Sequence, residues 1–421
     1  MYDGGPGVSG LQPLPAPQGP PGGGTGPQPG FLPWPKVSPF ENRFEQTWNN
    51  RGLWMNEINN EPREYFLDLQ AMFARMRQPE NSTVGELTVD GVLVPPLNGT
   101  NFFPTNAGFA FRHDLSSVGM DVRWGYRDPG IDAGLEVGGF WISDVSEKYS
   151  KGDNPTDPQD ITLLSDTHGI PVNDGQGGST IPFDRVFQLY YSQEAFGAHV
   201  VLSQSPIYRK SWLKLRTMYG LKYMHIREKF GFYGADSALD YVFGDDGRPD
   251  PATVNDLGLD PYSSTLEMRT STHLVGPQIG LAYETGGKIL KISGRSLFSL
   301  MANHEKLELN GDDFGDGFSG LINQARDNRF YREEENTHVS PAFTQEFHAD
   351  MNLIHLLPLI NRIRYLENSV VRLSYVYNIV GSVARPASSV VYNGLPLFPE
   401  ISTSHSSWGF SSMNLGFHSS W

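Results

Sequence analysis

The sequence predicts an all-β protein: an antiparallel up-and-down transmembrane β-barrel of about ten strands, behind a disordered Gly/Pro-rich N-terminal segment. Three observations predict it. Apolar and polar residues alternate with period two over most of residues 62–421, the repeat of a strand with two unlike faces. The apolar set is loaded with Tyr, Trp and Phe near strand ends, while the other set is rich in Gly and in charges of both signs. That division suits lipid outside, with aromatic girdles, and a crowded polar lumen inside. Long and short connections then alternate along the chain.

The elements follow in order. Residues 1–36 are almost all Gly, Pro and Gln with a few apolar residues, a composition that cannot bury a core and reads as a linker. Residues 37–61 could form a short helical or irregular segment, with Phe44, Trp48 and Met55 on its apolar side. The barrel occupies 62–421. Strands are expected near 63–75, 117–127, 131–145, 191–204, 212–227, 267–284, 288–308, 340–354, 368–381 and 406–421. In the second, Val118, Met120, Val122, Trp124 and Tyr126 alternate with Gly119, Asp121, Arg123 and Gly125. In the last, Met413, Leu415, Phe417 and Trp421 alternate with polar or small residues. Tight turns at "RDPG" and "ETGG" join neighbours. Long connections fall at 76–116, 146–190, 228–266, 309–339 and 382–405, which puts both chain ends on the same side. Residues 106–114 and 184–190 also alternate and leave twelve strands as the alternative. A soluble antiparallel sandwich with one wet face fits the alternation less well, because it does not call for aromatics at strand ends or for mixed charges on the Gly-rich face.

Composition bounds function. The net charge of −15 argues against a nucleic-acid partner. The absence of cysteine excludes disulfides and thiolate chemistry. Mean hydropathy is −0.38, which taken alone reads as soluble but does not exclude a barrel, whose lipid-facing residues are diluted by an alternating polar set. No signal peptide is visible at the start. An outer-membrane protein has to be exported, so the start as given is expected to be truncated or miscalled.

The site residues expected from this pattern line the lumen: Asp121, Arg123, Asp132, Glu136, Lys214, Arg216, Lys222, Gln278, Lys291, Arg295, His348, Asp350, Asn352, Arg372 and Asn378. Acidic groups of the first strands and basic groups of the middle strands should face one another, either across water or as a bridged plug. Trp124, Tyr126, Trp141, Tyr377 and Trp421 are expected at the membrane interface, where an amphipathic ring sits best. No catalytic residue, metal or cofactor is expected. "NGDDFGDGF" at 310–318 lacks the ligand spacing of a calcium loop. His348, Asp350 and Asn352 have no recognisable serine nucleophile. "GGGTG" at 22–26 follows no strand. The sequons "NST" 81–83 and "NGT" 98–100 matter only in a cell that glycosylates asparagine.

Six motifs in order, over about residues 62–421, carry a family likeness: "REYFLDLQAMFAR" with "LVPPL", "VGMDVRWGYRDPGIDAGLEVGGFWI", "LRTMYGLKYMHIRE", "STHLVGPQIGLAYETGGKILKISGRSLFSLMANHEKLELNG", "VRLSYVYNIVGSVARP" and "SMNLGFHSSW". The chain resembles the planctomycete-type β-barrel porin family. The resemblance implies an outer-membrane barrel and supplies no catalytic residue or substrate. Ser419 departs from it by interrupting the outward apolar row. The expected partners are outer-membrane lipid and the barrel-assembly machinery, the latter through the C-terminal strand. The expected function is passive diffusion of small solutes through a narrow polar lumen. The alternative is a non-conducting surface barrel with a structural, adhesive or loop-borne role.

Overall fold

The computed structural model describes residues 64–79, 114–128, 130, 132–152, 186–210, 212–236, 262–286, 290–312, 329–352, 369–391 and 398–421, with strand pieces of two to four residues in the connections between them. The chain divides into Met1–Asn60 and Glu61–Trp421. The expectations for 1–36 and 37–61, for "GGGTG", for both sequons apart from Thr83, and for most of 310–318 lie outside the described residues.

Ten long strands form one antiparallel sheet that closes on itself. They are β1 (Glu64–Met76), β2 (Leu115–Asp128), β3 (Ala133–Gly152), β4 (Val186–Ser203), β5 (Leu213–Asp236), β6 (Tyr262–Gly286), β7 (Leu290–Asp312), β8 (Phe330–Met351), β9 (Val370–Ala384) and β10 (His405–Ser420). Sequence neighbours pair throughout, and β1 closes on β10 from Phe66↔Ser420 to Met76↔Phe410. The seam ends with reciprocal backbone hydrogen bonds of 2.9 Å between Tyr65 and Trp421. The twelve-stranded alternative is excluded: 186–190 extend β4 rather than form a strand of their own. Among the described residues, the one further strand in this sheet is the three-residue stretch Tyr208–Lys210, which pairs back on β5.

Two backbone features set the geometry. Gly286, at the turn into β7, has φ +122°, a conformation that side-chain-bearing residues avoid. Gly416 lets β10 lie close against β1, since a Cβ there would stand 1.9 Å from the Leu69 carbonyl oxygen. Register slips occur between β3 and β4 at Gln193/Ala195, and between β9 and β10 at Val380/Val383.

The outer face over the short-turn half is apolar. Leu69, Phe73, Met120, Trp141, Val200, Leu221, Ile279, Phe298, Phe343, Leu373 and Leu415 are all exposed there. Further along the same strands the outward positions turn polar and pair with each other: Arg227 with Glu194, Arg269 with Glu267, and Lys306 with both Glu308 and Glu333.

The strands are longer than the alternation suggests. The fifth continues to 236, the sixth starts at 262, the seventh runs to 312 and the eighth starts at 330. In these outer parts the pattern inverts. On β5 the inward residues change from Lys222 to Ile226, Phe230 and Phe232, while the outward ones change from Leu221 to Arg227. The inside of this half is therefore largely a packed apolar core, interrupted by a few buried polar groups, where long loops were expected.

Candidate functional site: the barrel interior

The interior is arranged in layers from the short-turn end upward. At that end lies a vestibule with a cavity of about 260 Å³, bordered by Arg127, Glu136, Lys214, Arg216, Lys291 and Arg372 among others. The guanidinium of Arg372 on β9 holds Asp350 on β8 through Nε (2.6 Å) and Nη2 (2.8 Å), and also reaches Asp68 on β1. Asp132 sits in the β2–β3 turn with φ 51° and gathers Arg127, Arg209 and Arg216. Burial pushes its carboxyl up, but hydrogen bonds and charge from Arg127 and Arg216 outweigh this and hold it below the ordinary carboxylate range. Lys214 and Lys291 share Glu284 at 3.7 and 3.3 Å.

The next layer crosses the lumen. Arg123 on β2 clamps Asp121 with two 2.8 Å bonds and reaches Glu346 on β8 at 2.7 Å. Arg295 on β7 donates to Glu136 on β3 at 2.6 Å and, through Nη2, to Glu346 at 3.0 Å, with its Nε 2.9 Å from the same carboxylate. His199 and His348 flank these carboxylates at 2.9 and 3.3 Å. In sheet order β2 and β8 are four strands apart by the shorter way round, and so are β3 and β7, so these bridges span the interior. Arg123, Arg295 and Glu346 are each buried to 5 % exposure or less. Charges so far from water persist only when paired and hydrogen-bonded, and here every one is. Lys222 is held differently, donating to Thr344 Oγ1 at 2.7 Å, with Asn378 on the same hydroxyl at 3.3 Å. A second cavity beside this layer measures only about 30 Å³.

Above it the interior is largely apolar. Met72, Met76, Ile142, Met224, Leu274, Met301, Val376, Trp408 and Phe410 form one buried cluster. Phe187, Leu189, Phe230, Phe232, Leu266, Leu307 and Leu309 belong to another. A buried trio lies in this half: Arg385 Nε is 3.0 Å from Glu228 Oε2, Arg385 Nη2 is 3.0 Å from the Tyr191 hydroxyl, and that hydroxyl donates to Glu228.

Of the residues expected in the lumen, Asp121, Arg123, Glu136, Arg216, Lys222, Gln278, Arg295, His348, Asp350, Arg372 and Asn378 have inward positions, and the first two with Glu136, Arg295 and His348 meet in the crossing layer. Lys214 and Lys291 stand at the vestibule mouth and are partly exposed. Asp132 belongs to a turn. Asn352 follows directly on Met351, the last residue of β8, and its side-chain oxygen is buried. The five aromatics point outward. Trp124 and Tyr126 flank Tyr65 at the short-turn end, with ring centroids 6.4 and 6.3 Å away. Trp141, Tyr377 and Trp421 are exposed.

Sequence reasoning missed Glu346, the hub of the crossing layer, although it shares the parity of His348 and Asp350. It also missed the apolar fill. The signal available was the continuing parity of Met224, Ile226, Phe230 and Phe232, hidden because their outward partners become charged.

Fold and interior together define the class: a closed antiparallel β-barrel, apolar outside, ion-paired and packed within. No family model matches the chain, and no curated protein matches it. Among solved structures it is similar to the outer membrane protease OmpT from Escherichia coli, at 10 % identity over 86 % of this chain and 98 % of that one, with a TM-score of 0.41. It is similar also to a FadL homologue of Pseudomonas aeruginosa (7 % identity, 85 % and 90 % covered, TM-score 0.23) and to the Pseudomonas putida toluene transporter TodX (6 %, 85 % and 89 %, 0.18).

Proposed function

We propose that this chain is an outer-membrane β-barrel whose lumen is sealed, and that it acts through its surface rather than as an open pore. The observation that carries the reading is the cross-lumen layer of Arg123, Glu346, Arg295 and Glu136 with the apolar clusters stacked above it. Barrels of about eight strands are filled by side chains, whereas those of sixteen leave a channel; ten strands with large inward residues belong with the former.

Membrane insertion is supported by the outer face. On β7 the outward positions from Leu290 to Ala302 carry no charge, and charged residues begin only at Lys306. A tilted strand needs about 9–11 residues to cross the hydrocarbon, so the polar parts of β5 to β8 project beyond it. The short-turn end, with both chain ends of the barrel, then faces the periplasm. The outward row Met413, Leu415, Phe417 on β10, ending in Trp421, is what lipid and the assembly machinery would meet.

A narrow diffusion pathway is the second reading. The basic-rich vestibule favours it, since it opens a polar chamber on one side. Proteoliposomes containing the refolded full chain separate the two in a swelling assay. The sealed barrel admits arabinose and glycine no faster than protein-free liposomes do. Swelling above that baseline would establish the diffusion pathway instead.

A further inference from the structure

Beyond the sealed lumen, and independent of it, we propose a site for a first-row divalent transition-metal ion such as zinc, formed by Glu305 on β7, His338 on β8 and His405 on β10. A donor atom from each of the three lies within 4.8 Å of those of the other two. Glu305 Oε2 accepts from His405 Nε2 at 2.9 Å, a proton that a bound ion would displace, and lies 3.8 Å from His338 Nδ1. Two nitrogen or oxygen ligands of a tetrahedral zinc stand about 3.3 Å apart, from bond lengths near 2.0–2.1 Å, so these separations bracket the requirement.

The fold prepares the site. Pairing of β8 with β9 begins at Ala342↔Val380, and β9 then shifts register on β10 between Val380 and Val383. Three side chains from β7, β8 and β10 meet beside that irregularity. The Glu305 side chain is fully buried, and its Oε1 is taken up by the Asn303 amide and the Ala384 backbone N–H, each at 2.8 Å. Its remaining oxygen is thereby turned toward the two histidines. His338 Nε2 is 2.8 Å from the carbonyl of Ser382, a residue with φ 56°. A carbonyl only accepts, so Nε2 carries the proton, and a neutral ring then offers its lone pair at Nδ1. That Nδ1 is buried and has no hydrogen-bond partner. A lone pair facing a buried carboxylate repels it, and a bound cation removes the repulsion. A carbonyl behind a ligating histidine is the usual outer partner that fixes its tautomer.

The donor set selects the ion. Two imidazoles and one carboxylate suit zinc and its neighbours, whereas calcium and magnesium require mostly oxygen. Both histidine side chains keep partial exposure, 23 % and 27 %, which gives an ion a way in. Bound there, it would tie β7, β8 and β10 together across the β9 shift.

The test is zinc chloride titrated by calorimetry into refolded full-length protein, with cobalt(II) absorption as a second measurement. One zinc per chain should bind, and zinc should raise the melting temperature. Removing an outer partner of a ligand costs roughly 10–100-fold in affinity, so His338→Gln and His405→Gln should each cost at least about as much. His273→Gln, on the outer face of β6 beside His225, should leave binding unchanged. If either ligand variant does not refold, the cobalt(II) spectrum of the wild type decides: intense visible bands from low-symmetry coordination support the site, and the weak spectrum of the hydrated ion overturns it. Absence of stoichiometric zinc binding, or binding that survives both ligand substitutions, or loss with His273→Gln alone, would also overturn it.

Discussion

The indole N–H of Trp408 on β10 donates to the side-chain carbonyl oxygen of Gln193 on β4, 3.0 Å away, and both residues are buried to 0 % exposure. In sheet order these strands are four apart, so the bond spans the interior. The Gln193 amide donates in turn to the Arg77 carbonyl at 2.8 Å. A large aromatic ring is thus held across the bore, its one polar atom satisfied. Trp408→Ala should destabilise the barrel by about 3–5 kcal/mol, the range for emptying a buried aromatic site. Urea unfolding in detergent micelles, followed by tryptophan emission and far-ultraviolet dichroism, measures it. A change below about 1 kcal/mol would mean that the ring is not packed as described.

Glu346 carries more than its own charge. It accepts from Arg123 and from Arg295 and lies 3.3 Å from His348. Glu346→Gln leaves two buried guanidiniums short of a counter-charge, and breaking a buried pair in this way costs about 3–5 kcal/mol. The double variant Glu346→Gln with Arg295→Met should recover part of that loss, a coupling readable from a double-mutant cycle in the same unfolding assay. Strict additivity would show that the two side chains do not interact.

The outer face gives a positional contrast. Leu221 is 61 % exposed on the apolar part of β5, while Asn310 points outward near the end of β7, among charged neighbours. Leu221→Arg should cost about 2–4 kcal/mol, as at mid-membrane, and Asn310→Arg about 0–1. Refolding yield into lipid bilayers and equilibrium unfolding report both. Equal costs would remove the basis for separating a lipid belt from a projecting wall.

Acid should act through Asp132. Its carboxyl is held below the ordinary range in the fold. A group lowered on folding contributes stability that is complete above the unfolded carboxyl's value, about pH 4, and lost as pH falls through the folded one. Asp132→Asn should therefore be less stable than wild type at pH 7 and fall less steeply below about pH 4. Melting temperatures between pH 7 and pH 3 test the sign. A variant that parallels wild type throughout would show that the arginines give this carboxylate no advantage.

The fold was legible where one face meets lipid and the other does not. Val118 to Tyr126 and Val371 to Ile379 read correctly because their outward and inward sets differ in kind, and that repeat yields ten strands. Legibility ended where that contrast reverses. From Arg227 on β5 the outward Arg227 and Lys229 are charged and the inward Phe230 and Phe232 large and apolar; taken with the preceding stretch, the two phases cancel and the segment looks like a loop. In the interior, Asp121, Arg123, Glu136 and Arg295 were recoverable from parity. Their pairing was not, because Arg123 and Glu346 are 223 residues apart and meet only when the sheet closes. Glu305, His338 and His405 could not be grouped from spacing for the same reason, since β9 lies between two of the three strands that carry them.

Ion conductance of the full chain in a planar bilayer tests the sealed lumen most directly. With the Arg123–Glu346–Arg295–Glu136 layer and the Trp408 cluster in place, the barrel should insert without current steps in concentrated potassium chloride. Stable, reproducible steps from wild-type protein, altered in reversal potential by Glu346→Gln, would show that water and ions pass through that layer and would contradict it.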